Sequence, residues 1–178
     1  MIKYKTAFII ISLFLLSCNS EPNITTFKIK NPYLANKKDV QENISVSVFP
    51  GEAGGEEQNI NRWRRQIGLP PKTLESIIKI EYQNPFLGKY FAYDLVNKIN
   101  DKAILAAIIS QENQTIFIKM NTSATLINDR KYEFNLFCQS LYFDENQNIK
   151  GTSPNNWSQK KPINLSVLYY EIESNDED

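Results

Sequence analysis

Histidine is absent from all 178 residues, and cysteine, methionine and tryptophan occur only twice each. Without histidine the commonest general base near neutral pH is missing, and no histidine-containing metal site can be built. Ser-His-Asp and Cys-His catalysis are excluded with it. Two cysteines allow one disulfide at most, so stability has to come mainly from packing. Internal repeats are lacking, as is any second apolar run long enough to span a bilayer, which takes about twenty residues. Twenty basic and twenty acidic side chains leave no excess of positive charge to suggest nucleic acid.

What is present begins with an address. Lys3 and Lys5 precede an apolar run from Ala7 to Leu16, and Leu15-Leu16-Ser17-Cys18 follows directly. This tetrapeptide resembles the lipobox of bacterial lipoproteins, in which the cysteine is acylated, with palmitate among the usual chains, and becomes the new N-terminus. The resemblance implies a signal peptide over residues 1–17 and a lipid anchor on Cys18. An ordinary secretory signal with an incidental cysteine, or an uncleaved anchor, is the alternative. Removal of Lys3 and Lys5 leaves eighteen basic against twenty acidic residues, a net charge of about −2. Asn19 is not the aspartate associated with inner-membrane retention, which points to the outer membrane.

After a polar tether over 18–23, one α+β domain is expected over 24–172, with an acidic tail at 173–178. Ile24 to Lys30 alternates as a first strand. Ile44-Ser45-Val46-Ser47-Val48-Phe49 alternates more cleanly, with the serines on one face. Further strands are predicted over Ile77–Tyr82, interrupted by Asn84-Pro85, and over Gly88–Asn97, Lys102–Ile109 and Thr115–Met120. Their short connections make them antiparallel. A helix from about Ala124 to Leu141, capped by Asn121, Thr122 or Ser123, would cover the sheet with Ile127, Phe134, Phe137 and Leu141. Residues 144–164 read as a long loop pinned by Trp157. Leu165–Ile172 reads as a last strand at a sheet edge.

The stretch from Pro50 to Pro71, PGEAGGEEQNINRWRRQIGLPP, changes composition, turn chemistry and charge together. Gly51, Gly54 and Gly55 permit a sharp turn, and the following helix carries Ile60, Trp63 and Ile67 as one apolar stripe. Gly68 and Pro70-Pro71 end it. Trp63 is then a core anchor, and the arginines form either a solvated face or a docking surface. In the second case the surface comprises Glu52, Asn59, Asn61, Arg62, Arg64, Arg65 and Gln66, since guanidinium groups suit carboxylate and phosphate. The glycines match neither nucleotide-binding spacing.

Together with Ala103 to Ser110 and Thr115-Ile116-Phe117-Ile118-Lys119-Met120, this stretch resembles a family of bacterial lipoproteins. The family is marked by a P-G-acidic-x-G-G turn, an N-x-N-R-W-R-x-Q-x-G-L helix and a T-x-F-x-K-M strand. The resemblance spans roughly Thr25 to Phe143. It implies a PsbP/Mog1-like α/β sandwich, a twisted antiparallel sheet with packed helices, in which relatives act chiefly by binding proteins. It implies no catalytic residue and no cofactor.

Three function classes follow. A non-enzymatic envelope lipoprotein that binds an envelope protein would use the arginine-bearing helix. A carrier of a small apolar ligand would line a pocket with Tyr90, Phe91, Tyr93, Phe117 and Tyr132. A carboxylate-based hydrolase would need a pair drawn from Glu52, Glu56, Glu57, Asp94 and Asp101 held across a cleft. Cys138 lies on an apolar helix face with no base available and reads as a small hydrophobe.

Overall fold

The computed structural model describes residues 41–173. Cys18, the tether, the expected strand Ile24–Lys30 and the acidic end from residue 174 onward lie outside the described residues. None of the described helices is long and apolar enough to cross a membrane.

The elements are β1 (Asn43–Pro50), α1 (Glu56–Gln66), a short 3-10 turn (Leu74–Ser76), β2 (Ile80–Asn84), β3 (Gly88–Asn97), β4 (Lys102–Ser110), β5 (Gln114–Thr122), α2 (Ile127–Ser140), β6 (Tyr142–Phe143), β7 (Ile149–Lys150), β8 (Trp157–Gln159) and β9 (Leu168–Ile172). Seven strands form one sheet in the order β2-β3-β4-β5-β1-β9-β8, antiparallel at every pairing, and β6 and β7 make a separate hairpin. The fold is thus a mixed α+β arrangement of a twisted antiparallel sheet with two packed helices.

Strand β4 sits deep in the sheet and is buried on both faces, which explains its nearly continuous apolar sequence. Ala103, Leu105, Ala107 and Ile109 belong to the core shared with Phe134, Phe137 and Cys138 of α2. Ile104, Ala106 and Ile108 belong to the core shared with Ile60 and Trp63 of α1. The helices therefore cover opposite faces. Ile44 and Val46 of β1 face the α2 core, as do Ile116, Ile118 and Met120 of β5.

Several expectations shift in detail. The strand expected over Ile77–Tyr82 runs from Ile80 to Asn84, because Ile77 turns under α1 while Ile78 is exposed. Asn84 closes that strand. Its side-chain Oδ1 accepts from the amides of Phe86 (2.7 Å) and Leu87 (2.6 Å), and its side-chain Nδ2 donates to the carbonyls of Cys138 (2.7 Å) and Leu141 (3.0 Å) at the end of α2. Helix α2 begins later than expected. Ser123 accepts from the amide of Leu126, but Thr122 and Asn121 bond to Glu42 and Asn43 instead, and Thr125 is held by Asp101.

The largest departure is near the C-terminus. Residues 144–164, read as loop, contain β7 and β8, and β9 is an inner strand between β1 and β8. The edge expected of Leu165–Ile172 is occupied by β8. Trp157 fastens that edge, packing its ring 5.2 Å from Phe137 and 6.3 Å from Tyr170.

Candidate functional site: a cationic groove beside the first helix

The turn into α1 is built on left-handed backbone, with φ of 59° at Gly51, 87° at Gly54 and 79° at Gly55. The helix ends in a Schellman arrangement. Gly68 donates to Arg65 O and Leu69 to Arg64 O, with Gly68 at φ 77°. A Cβ at Gly68 would also lie 3.3 Å from the Asn100 side-chain amide, a tight contact added to the strained backbone.

The residues expected to form a docking surface divide into two groups. Asn59, Asn61 and Arg64 are buried and bonded to backbone. Asn59 donates to the carbonyls of Ala53 (2.9 Å) and Gly55 (2.7 Å), tying the glycine turn to the helix. Asn61 both donates to and accepts from the backbone of Lys72 at 2.8 Å. Arg64 donates from Nε to Pro70 O at 2.8 Å, and burial lowers its pKa. Trp63, buried, meets Phe117 edge-on at 5.7 Å. Glu52, Arg62, Arg65 and Gln66 are the exposed group.

Arg62 and Gln66 overlook a groove of about 360 Å³. Its floor is the part of the sheet that α1 leaves open. The face is apolar beneath the helix, at Ile104, Ala106 and Ile108, and becomes polar one strand further on. Lys119 and Asn121 of β5 lie directly opposite Ser45 and Asn43 of β1, and Ser45 lies opposite Tyr169 of β9. The far wall is the segment Ile163–Ser166.

Lys119 is the residue that sequence reasoning did not single out as a site. It is half-buried, and Nζ donates to Gln66 Oε1 at 3.1 Å. Burial lowers its pKa, and the nearby charge of Arg62 lowers it further. Among the described residues no carboxylate pairs with Lys119, Arg62 or Arg65, whereas Lys79, Lys131 and Arg130 all have acidic partners. The available signal was a lysine inside an otherwise apolar strand, two residues from Phe117 and hence on its face.

The candidate carboxylates converge only in part: Glu52 and Glu56 line one cleft of about 310 Å³ beside Glu112, whereas Glu57, Asp94 and Asp101 do not line it. Glu56 is paired with Lys79 (2.9 Å) and accepts a short hydrogen bond from the Tyr93 hydroxyl. Glu57 accepts from the Leu74 amide, Asp94 pairs with Lys131 at 2.6 Å, and Asp101 holds Thr125. No cluster of three or more acidic or cysteine side chains that could hold a metal occurs among the described residues. Cys138 is fully buried, and burial pushes its thiol pKa well up.

The five aromatic residues considered for an apolar pocket do not share one. Tyr90 lies in the α2 core, Tyr93 and Phe117 in the α1 core, Phe91 sits under the Lys79 ammonium at 4.1 Å, and Tyr132 is 72% exposed. Chemically, the groove offers one cation on its α1 wall, a second rising from its floor, and hydroxyl and amide groups beside them, which suits binding of a negatively charged, hydrogen-bonding group. Compared with protein-family models, with curated proteins and with solved structures, the chain matches none of them.

Proposed function

We propose that this chain is a non-enzymatic, lipid-anchored binding module of the bacterial cell envelope. It is held at the outer membrane through acyl chains on Cys18 and engages an envelope protein with the exposed side of α1. The observation that carries this reading is that Arg62 and Arg65 stand exposed with no acidic partner among the described residues. Unpaired guanidinium groups on a rigid helix suit acidic groups of a partner, since their planar donors match carboxylates in pairs. An antiparallel sheet with a helix on each face supports, at the level of layers, the PsbP/Mog1-like reading. Lipidation is reasoned from residues 15–18, and several acyl chains on one cysteine hold a protein at a bilayer because each buried methylene contributes roughly 0.8 kcal/mol.

The test is in-cell crosslinking and pull-down of the full chain, compared with an Arg62→Glu/Arg65→Glu double variant after circular dichroism has shown that both fold alike. Arg64 is left intact because it belongs to the fold. Capture of a protein by the wild type and not by the double variant is expected, and Cys18→Ala is expected to leave the membrane fraction. Recovery of the same protein with the charges reversed would sink the docking reading.

A further inference from the structure

We infer that the groove beside α1 is a binding site for a small, hydroxyl-bearing organic anion, with Lys119 and Arg62 holding the acidic group. The inference goes beyond a protein-docking helix, because it rests on the floor of the sheet and holds whether or not α1 also meets a protein.

Three observations carry it. The first is charge. Lys119 rises from a strand inside the sheet, half-buried, with Arg62 close by on α1 and no carboxylate paired to either among the described residues. A half-buried cation beside a second positive charge is unfavourable until an anion joins them. Gln66 takes one N–H of the Lys119 ammonium, which leaves two for a ligand.

The second observation is the floor. Ser45 and Ser47 point into the groove beside Asn43 and Asn121. The Ser45 hydroxyl makes only a long bond of 3.4 Å to Lys119 O, and the Ser47 hydroxyl makes no hydrogen bond to another described residue. Hydroxyls can donate or accept, so this floor suits a ligand that carries hydroxyls of its own. A purely apolar acid would strip water from these groups without replacing its hydrogen bonds.

The third is what the floor withholds. From Asn43 to Val46 the strand β1 is paired with β5 on one side and β9 on the other, so this part of the floor presents no free main-chain edge to an extended peptide. A volume of about 360 Å³ falls in the range of small-molecule sites. Ile163 and Leu165, exposed on the opposite wall, can cover the carbon side of a ring.

Carboxylate and phosphate share this chemistry, and the test separates them. The full-length chain in detergent is titrated by calorimetry with D-glucuronate, glucose 6-phosphate, glucose and inorganic phosphate. At least one of the two sugar anions is expected to bind, the stronger one showing which acidic group the site prefers. Glucose is expected not to bind, and inorganic phosphate to bind more weakly than the sugar anions. Arg62→Gln, at an exposed position, and Lys119→Met are each expected to raise Kd by about tenfold or more. Lys119→Met is expected to melt no lower than wild type, since it removes a charge that is poorly solvated where it stands. Absence of heat with both sugar anions would overturn the inference, as would inorganic phosphate binding as tightly as they do, or unchanged affinity in Arg62→Gln. A protein partner takes no part in the titration, so its outcome is independent of the pull-down.

Discussion

Tyr90 and Tyr93 stand three positions apart on β3 and therefore point to opposite faces of the sheet. Both are essentially inaccessible, and burial raises the pKa of each, with the Glu56 carboxylate adding to the effect at Tyr93. Their hydroxyls differ in fate. Tyr93 donates to Glu56, whereas the Tyr90 hydroxyl has no hydrogen-bond partner among the described residues, its ring stacked on Tyr82 at 5.4 Å. A buried hydroxyl left unpaired costs about 1–3 kcal/mol, so its removal with the ring kept should stabilise the fold. Tyr90→Phe is expected to raise stability by about 1 kcal/mol, or a Tm increase of roughly 2–4 °C by thermal denaturation. Tyr93→Phe is expected to lower it, and the opposite signs check the assignment of faces. At this scale the sequence displays an aromatic strand but not which hydroxyl meets a carboxylate, because Glu56 lies thirty-seven positions away on another element.

At the scale of elements, α1 shows the difference between a pattern and its use. The apolar stripe Ile60, Trp63 and Ile67 was legible from spacing, and all three are buried. The arginines were not sortable in the same way. Arg64 and Arg65 are adjacent and chemically identical, yet Arg64 is 7% exposed and bonded to Pro70 O while Arg65 is exposed with no acidic partner among the described residues. Only the path of the chain after Gly68, which folds Pro70 back against the helix, separates them. Arg64→Ala is expected to cost about 2 kcal/mol in chemical denaturation, from the lost charged hydrogen bond and the packing of its stem. Arg65→Ala is expected to stay within about 0.5 kcal/mol of wild type. Equal losses would mean that the two side chains share one environment. The groove lies beyond the sequence for a similar reason: its walls come from α1, β5, β1 and the segment before β9, which no local pattern joins.

At the scale of the molecule, a buried charge cluster ties the start of β1 to α2. Arg130 meets the Glu42 carboxylate through Nη2 at 2.6 Å and Nε at 3.0 Å, and Thr122 donates to the same carboxylate. Glu42 is 5% exposed, and its backbone carbonyl accepts from the Ile172 amide on β9, so four distant parts of the chain close at one point. Removing one member of such a pair leaves a buried charge uncompensated, which typically costs about 3–5 kcal/mol. Arg130→Met is expected to destabilise by about that amount, and adding Glu42→Leu to recover a large part of it. The double-mutant cycle measures the coupling, and a cycle with purely additive losses would show that the cluster does not act as a unit.

Alternation and turn chemistry by themselves determined that this chain makes a mixed α+β domain, with a strand over Ile44–Phe49, antiparallel strands over Gly88–Asn97, Lys102–Ile109 and Thr115–Met120 and a tryptophan-anchored helix after the glycine turn. These are local properties, set by which face of a strand or helix is apolar and by which residues tolerate a reversed backbone. Tertiary structure alone decided that β9 lies inside the sheet and β8 at its edge, since a strand's neighbours depend on contacts far along the chain. It also decided that Arg64 is a fastening while Arg62 has no acidic partner among the described residues, and that Lys119 stands beside Arg62 next to the serines of the groove floor. Residue identity sets what a side chain is able to bind, and burial and neighbours set whether that capacity is already spent on the fold.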